Sequence, residues 1–124
     1  MPTPGLVAIV PCNDLDASEA FYRRLGFEPT GGAHPGYRIL ADGRGGRLHL
    51  TSTVDGWVVP DRNPFGVYLY SDRVDALAAE VRDLIIEKRK APEHKPWGMY
   101  EMSLSDPNGT LVRIGWPSEA LASS

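Results

Sequence analysis

Cysteine is nearly absent: Cys12 stands alone among 124 residues, so no intrachain disulfide can form and packing must hold the fold. A lone thiol suits a reducing compartment, and the cytoplasm is the expected location. Long apolar runs are also missing. The stretch up to Val10 carries no basic segment and is interrupted at Pro11, so neither a secretion signal nor a membrane-spanning helix is expected. Positive charge is scarce, with 13 Lys and Arg against 16 Asp and Glu and a net charge of −3. Nucleic-acid binding needs clustered cations, and the nearest cluster, Lys88–Arg89–Lys90, is followed by Glu93 and forms no stripe. Histidine occurs only at positions 34, 49 and 94, without the spacing of a metal site. Asp42–Gly46 is rich in glycine, but it opens no helix and lacks a Gly-Lys-Ser/Thr ending, so it reads as a hairpin turn and not a phosphate loop.

What the chain does have is a repeat. With the numbering shifted by 59 (75 − 16 = 59), Leu15, Asp16, Ala17, Ala20 and Leu25 fall on Val74, Asp75, Ala76, Ala79 and Leu84. Leu6, Ala8 and Val10 likewise fall on Phe65, Val67 and Leu69. A period near half the length means one supersecondary unit used twice, with neither copy able to bury its apolar face alone. The chain therefore reads as one domain, residues 1–124, with module one at about 5–60, module two at about 61–117 and a frayed tail at 118–124.

The elements within each copy follow from periodicity. Leu6–Val10 reads as a strand buried on both faces and ended by Pro11. Asp16 with Glu19 has the pattern of a capping box, Ala17, Ala20, Phe21 and Leu25 follow at helical spacing, and Gly26 stops the helix. Tyr37–Ala41 and Arg47–Ser52 are strands, and Thr53–Pro64 is a linker. Phe65–Tyr70 opens the second copy, with an amphipathic helix through Val74, Leu77, Ala78, Val81 and Ile85. Glu87–His94 is a short strand or a loop, and strands at Met99–Ser105 and Thr110–Trp116 flank a tight turn at Asp106–Gly109. The class is α+β, with two concave sheets facing a central groove and one helix outside each.

Asn13-Asp14-Leu15-Asp16-Ala17-Ser18 through Phe21-Tyr22-Arg23-Arg24-Leu25-Gly26-Phe27 resembles the first-helix signature of the vicinal oxygen chelate superfamily. That group includes glyoxalase I, extradiol dioxygenases, fosfomycin-resistance enzymes and bleomycin-resistance proteins. Pro96-Trp97-Gly98 and Asp106-Pro107-Asn108-Gly109 resemble the closing motif of the bleomycin-resistance branch, and the likeness runs from about Leu6 to Trp116. The resemblance implies two βαβββ modules and a homodimer with ligand sites between modules. It also implies metal ligands on the first and last strands of each module in the enzymes. The matching positions here are Val7, His49, Gly66 and Arg113, of which only His49 is a donor, and a divalent metal needs three or four. No metal and no cofactor is expected, and no catalytic residue is assigned.

The candidate ligand-binding residues are His49, Trp57, Phe65, Tyr68, Tyr70, Trp97, Tyr100, Glu101 and Arg113. His49 faces opposite to Leu48 and Leu50, as a structural histidine or a ligand contact. Tyr68 and Tyr70 share one strand face. Tyr37, Trp57, Phe65, Trp97 and Tyr100 lie in segments that border the groove, where an aromatic contributes about 0.5–2 kcal/mol of stacking beyond its area. Trp97 is expected to stack on a planar ligand with its indole N–H free to donate. Trp57-Val58-Val59 is a candidate dimer contact. Glu101 and Arg113 on adjoining strands form a pair that either holds a polar ligand or satisfies itself. Cys12 is an inert small hydrophobe. The expected function is metal-free sequestration of a flat, polar or cationic small molecule, a bleomycin-like antibiotic among them. The alternatives are a glyoxalase-type lyase or dioxygenase, and a dimeric metabolite-binding module.

Overall fold

Alternation of apolar and polar residues resolves into two sheets of the same design in the computed structural model, which describes residues 4–32 and 34–122. The first contains β1 (Ala8–Cys12), β2 (Glu28–Pro29), β3 (Tyr37–Ala41) and β4 (Arg47–Ser52), with α1 (Leu15–Arg23) between β1 and β2. The second contains β5 (Gly66–Tyr70), β6 (Glu93–His94), β7 (Met99–Ser105) and β8 (Leu111–Pro117), with α2 (Val74–Val81) after β5. The strand orders are β1-β4-β3-β2 and β5-β8-β7-β6, so the sequence repeat is also a topological one. In each sheet the first strand lies parallel to the last and the others pair antiparallel.

One face of each sheet is covered by its helix. Val10, Cys12, Leu40, Leu48 and Leu50 join Phe21, Tyr22, Leu25 and Phe27 in the core. Met102, Leu104, Val112 and Ile114 join Ala78, Val81 and Ile85 in the same continuous cluster. The opposite faces are open, and Ile9 is 60% exposed there. The first strand is therefore buried on one side only, not on both. Its span also differs from expectation, because Pro11 lies within β1 and does not end it. An edge strand with one neighbour loses no ladder bond to proline's missing N–H.

Two other local expectations are corrected. The N-cap of α1 is Asp14, whose side chain accepts the Ala17 N–H at 3.0 Å. Glu19 pairs instead with Arg23 and Arg38. Of two acidic residues two positions apart, the first is the one whose extended backbone lets a side chain reach the open N–H groups. The tail begins as a short helix, α3 (Ser118–Ala122), whose first N–H donates to the Gly98 carbonyl at 2.9 Å.

The turn between β7 and β8 ties the modules together. Tyr22 Oη donates to Asp106 Oδ2 at 2.8 Å, Asn108 Nδ2 donates to Ser18 Oγ at 3.1 Å, and the Asn13 N–H donates to Asn108 Oδ1 at 2.8 Å. Asp106 and Asn108 are buried, as such partners require. Only Gly109 has positive φ in this turn, and a Cβ there would strike the Pro60 backbone. Glycine is thus needed twice over. The sheets approach each other along β1 and β5, which share a largely apolar cavity of ≈ 420 Å³ lined by Ile9, Pro11, Thr51, Phe65 and Gly66.

Candidate functional site

Register on the second sheet decides which side chains share its open face. Tyr68 lies beside Arg113, which lies beside Ser103, and Tyr70 lies beside Gly115, which lies beside Glu101. The set converges on a carboxylate. Glu101 is 0% exposed, and its Oε1 accepts from Tyr68 Oη and from Trp97 Nε1, each at 2.9 Å. Its Oε2 lies 3.5 Å from Arg113 Nε, and neither of these two buried atoms has a hydrogen-bond partner among the described residues. The Arg113 guanidinium sits 5.7 Å from the centre of the Trp97 ring, within cation–π range. Tyr70 continues the aromatic surface, its ring centre 5.0 Å from that of Tyr68.

Local structure explains the convergence. Gly98, with φ of 87°, closes a turn in which its N–H donates to the Lys95 carbonyl, folding Trp97 back over β7. Gly115 leaves the space that Tyr68 and Glu101 use. A Cβ at that position would collide with the Tyr68 hydroxyl and lie 2.7 Å from Glu101 Cβ. An ionised carboxylate is costly to bury unless it is paired and hydrogen-bonded, and here Arg113, Tyr68 and Trp97 supply both. Burial of the hydroxyl, then the hydrogen bond and charge of Glu101, push the Tyr68 phenol above its ordinary range.

The structure therefore brings together Tyr68, Tyr70, Trp97, Glu101 and Arg113. It corrects one detail: the indole N–H of Trp97 is not free but points inward to Glu101. Tyr100 is set apart, because it has the opposite parity to Glu101. Its hydroxyl donates to Asp75 Oδ1 at 2.6 Å, and burial followed by that bond pushes it up to about 12. His49 lies on the open face of the first sheet, hydrogen-bonded through Nδ1 to Tyr37 Oη at 2.6 Å. Phe65 and Trp57 border a smaller cavity of ≈ 260 Å³ with Pro11 and Arg62, and Trp57 is 79% exposed. Sequence reasoning passed over Gly115, Ser103 and Trp116. Ser103 hydrogen-bonds Glu87, and Trp116 meets the Tyr70 ring edge-on at 6.5 Å. The parity of β8 was the signal available for Gly115, since it places glycine on the face that bears Arg113.

The donor set does not fit a divalent metal. Among the described residues no three His, Cys, Asp or Glu side chains converge. His49 has its Nδ1 engaged, Gly66 has no side chain, Arg113 is a cation, and Val7 precedes β1. Cys12 is buried, donates its Sγ–H to the Val10 carbonyl at 3.3 Å, and has its thiol pushed up by burial, which suppresses thiolate chemistry.

Known proteins place this fold. The family model described as Glyoxalase/Bleomycin resistance protein/Dioxygenase superfamily matches residues 5–114, and the chain belongs to that superfamily. No curated protein matches the chain. A solved bleomycin-binding protein, determined in complex with bleomycin, is 28% identical with a TM-score of 0.77, covering 92% of this chain and 98% of its own. A bleomycin resistance determinant encoded on transposon Tn5 is also 28% identical with a TM-score of 0.77, covering 93% and 98%. Lactoylglutathione lyase from Agrobacterium tumefaciens shares the fold at 21% identity and a TM-score of 0.69, covering 95% and 96%. Among the described residues no helix is long and apolar enough to cross a membrane.

Proposed function

We propose that this superfamily member is a small-molecule-binding protein of the bleomycin-resistance kind. It holds a flat, polar or cationic ligand, with a bleomycin-like glycopeptide as first candidate, and breaks no bond. The observation that carries this reading is an aromatic wall held in place by the protein's own hydrogen bonds. Trp97 and Tyr68 hang from one buried carboxylate oxygen, yet the Trp97 residue is 58% exposed. Rings fixed in this way lose little freedom on binding, so more of their stacking energy appears as affinity. Near-complete alignment with a bleomycin-binding protein at 28% identity supports the same reading. A lyase or dioxygenase of the glyoxalase type would need metal donors that these residues do not supply.

His49 and Phe65 complete the binding surface on the side of the first module, and Trp57 joins it as a ligand or partner contact. The protein acts as a homodimer in which a second copy covers part of the open faces, a state that light scattering reads directly. Ligand binding is tested by titrating metal-free bleomycin against tryptophan fluorescence. Trp97→Ala weakens affinity by roughly 1–3 kcal/mol while costing less stability than the core control Phe21→Ala. Loss of stability equal to the core control, or unchanged affinity, removes Trp97 from the site.

A further inference from the structure

We infer that Glu101 is the positioning residue of this surface, and that it restricts the site to ligands recognised through flat conjugated faces. The inference rests on the reading of the open face as a binding surface. Glu101 lies on that face of β7, opposite the side that packs on α2, and an apolar core does not require a carboxylate there. What it does is hold two rings from separate elements at one atom. Tyr68 comes from β5, Trp97 from the turn before β7, and both donate to Oε1 at 2.9 Å. One oxygen thereby fixes the spacing of two aromatic walls.

The surroundings are shaped to permit this. Gly115 opposite Glu101 has no Cβ to block the Tyr68 hydroxyl. Arg113 balances the charge from 3.5 Å and lies across the Trp97 ring. The consequence for recognition is chemical. The O–H of Tyr68 and the N–H of Trp97 are both spent inward, so neither ring can donate a hydrogen bond to a ligand and what each mainly presents is its face. The terminal guanidinium nitrogens of Arg113 have no partner among the described residues, and this side chain is 42% exposed. They are cationic hydrogen-bond donors beside the Trp97 ring. A planar conjugated ligand bearing an acceptor such as a carbonyl or ring nitrogen satisfies both features.

Three measurements test the assignment. In the wild-type protein the Trp97 indole N–H should exchange with solvent at least tenfold more slowly than that of the exposed Trp57, as followed by NMR. Equal rates overturn the inward bond without any mutation. With Trp57→Phe and Trp116→Phe leaving Trp97 as the lone reporter, Glu101→Ala should red-shift its emission and raise acrylamide quenching severalfold. Glu101→Gln, which keeps an acceptor oxygen, should retain most of the wild-type signal. The probe is metal-free bleomycin, whose affinity should fall tenfold or more in Glu101→Ala and by less in Glu101→Gln. A folded Glu101→Ala protein with wild-type emission, or one with released Trp97 and unchanged affinity, refutes the positioning role. If the wild-type protein binds no bleomycin while Glu101→Ala still releases Trp97, the anchoring stands and the antibiotic reading falls.

Discussion

Replacing Gly115 by alanine isolates the steric condition on which the aromatic wall depends. The φ of Gly115 is not positive, so alanine adopts this backbone without strain, and the cost arises from what the new methyl meets. It would overlap the Tyr68 hydroxyl, lie 2.7 Å from Glu101 Cβ and 3.0 Å from the Tyr100 carbonyl oxygen. Overpacking of this kind costs about 1–3 kcal/mol. Displacing Tyr68 also forfeits a hydrogen bond to a buried carboxylate, about 1.5–3 kcal/mol more. Against these stands about 0.4–1 kcal/mol gained because alanine has less freedom than glycine in the unfolded chain. The net loss is about 2–5 kcal/mol, a drop in Tm on the order of 10 °C. Urea unfolding followed by fluorescence should show a lower midpoint at unchanged slope. The sharper assay is a double-mutant cycle with Tyr68→Phe. Without the hydroxyl, the alanine methyl loses its worst contact, so the two losses should fall short of additive by about 1–3 kcal/mol. A Gly115→Ala protein within about 0.5 kcal/mol of wild type, or strict additivity, would refute the reasoning.

Tyr22→Phe should cost about 1.5–3 kcal/mol in urea unfolding, because it removes a buried donor from the Asp106 carboxylate, and a loss below about 0.5 kcal/mol would deny that bond its role. Burial pushes Glu87 up, but the Ser103 N–H and hydroxyl and the Lys95 ammonium outweigh it and hold Glu87 below the ordinary 4.5. A depressed carboxylate contributes stability above its unfolded value and loses it as pH falls through the folded one. The stability gap between wild type and Glu87→Gln should therefore narrow below pH 4.5, and a gap unchanged between pH 7 and pH 3 counts against the sign. The fragment 1–61 should show no cooperative melt by circular dichroism, since Tyr22, Ser18 and Asn13 lose their partners Asp106 and Asn108. A sharp melt in a monomeric fragment would show that module one folds alone.

Much of the architecture was legible in local periodicity. Alternation set His49 opposite to Leu48 and Leu50 and placed Tyr68 with Tyr70 on one shared face, as found. The offset of 59 residues announced two sheets of one design, and their strand orders match. Other features depended on competition between near-equal local solutions, as with Asp14 and Asp16 for one helix start. Adjacent residues Tyr100 and Glu101 show where local pattern stops: one bonds Asp75 in the first turn of α2, the other gathers the wall on the opposite face. No sequence period told that the Trp97 N–H turns inward, because the Gly98 turn and the room left by Gly115 set its direction. Nor did it show that the Asp106–Gly109 turn reaches α1 across 84 residues at Tyr22 and 90 at Ser18. A period of 2.0 or 3.6 states which way a side chain leaves its own element. Which partner waits there is decided only when distant segments pack, and that is where this protein's candidate site is made.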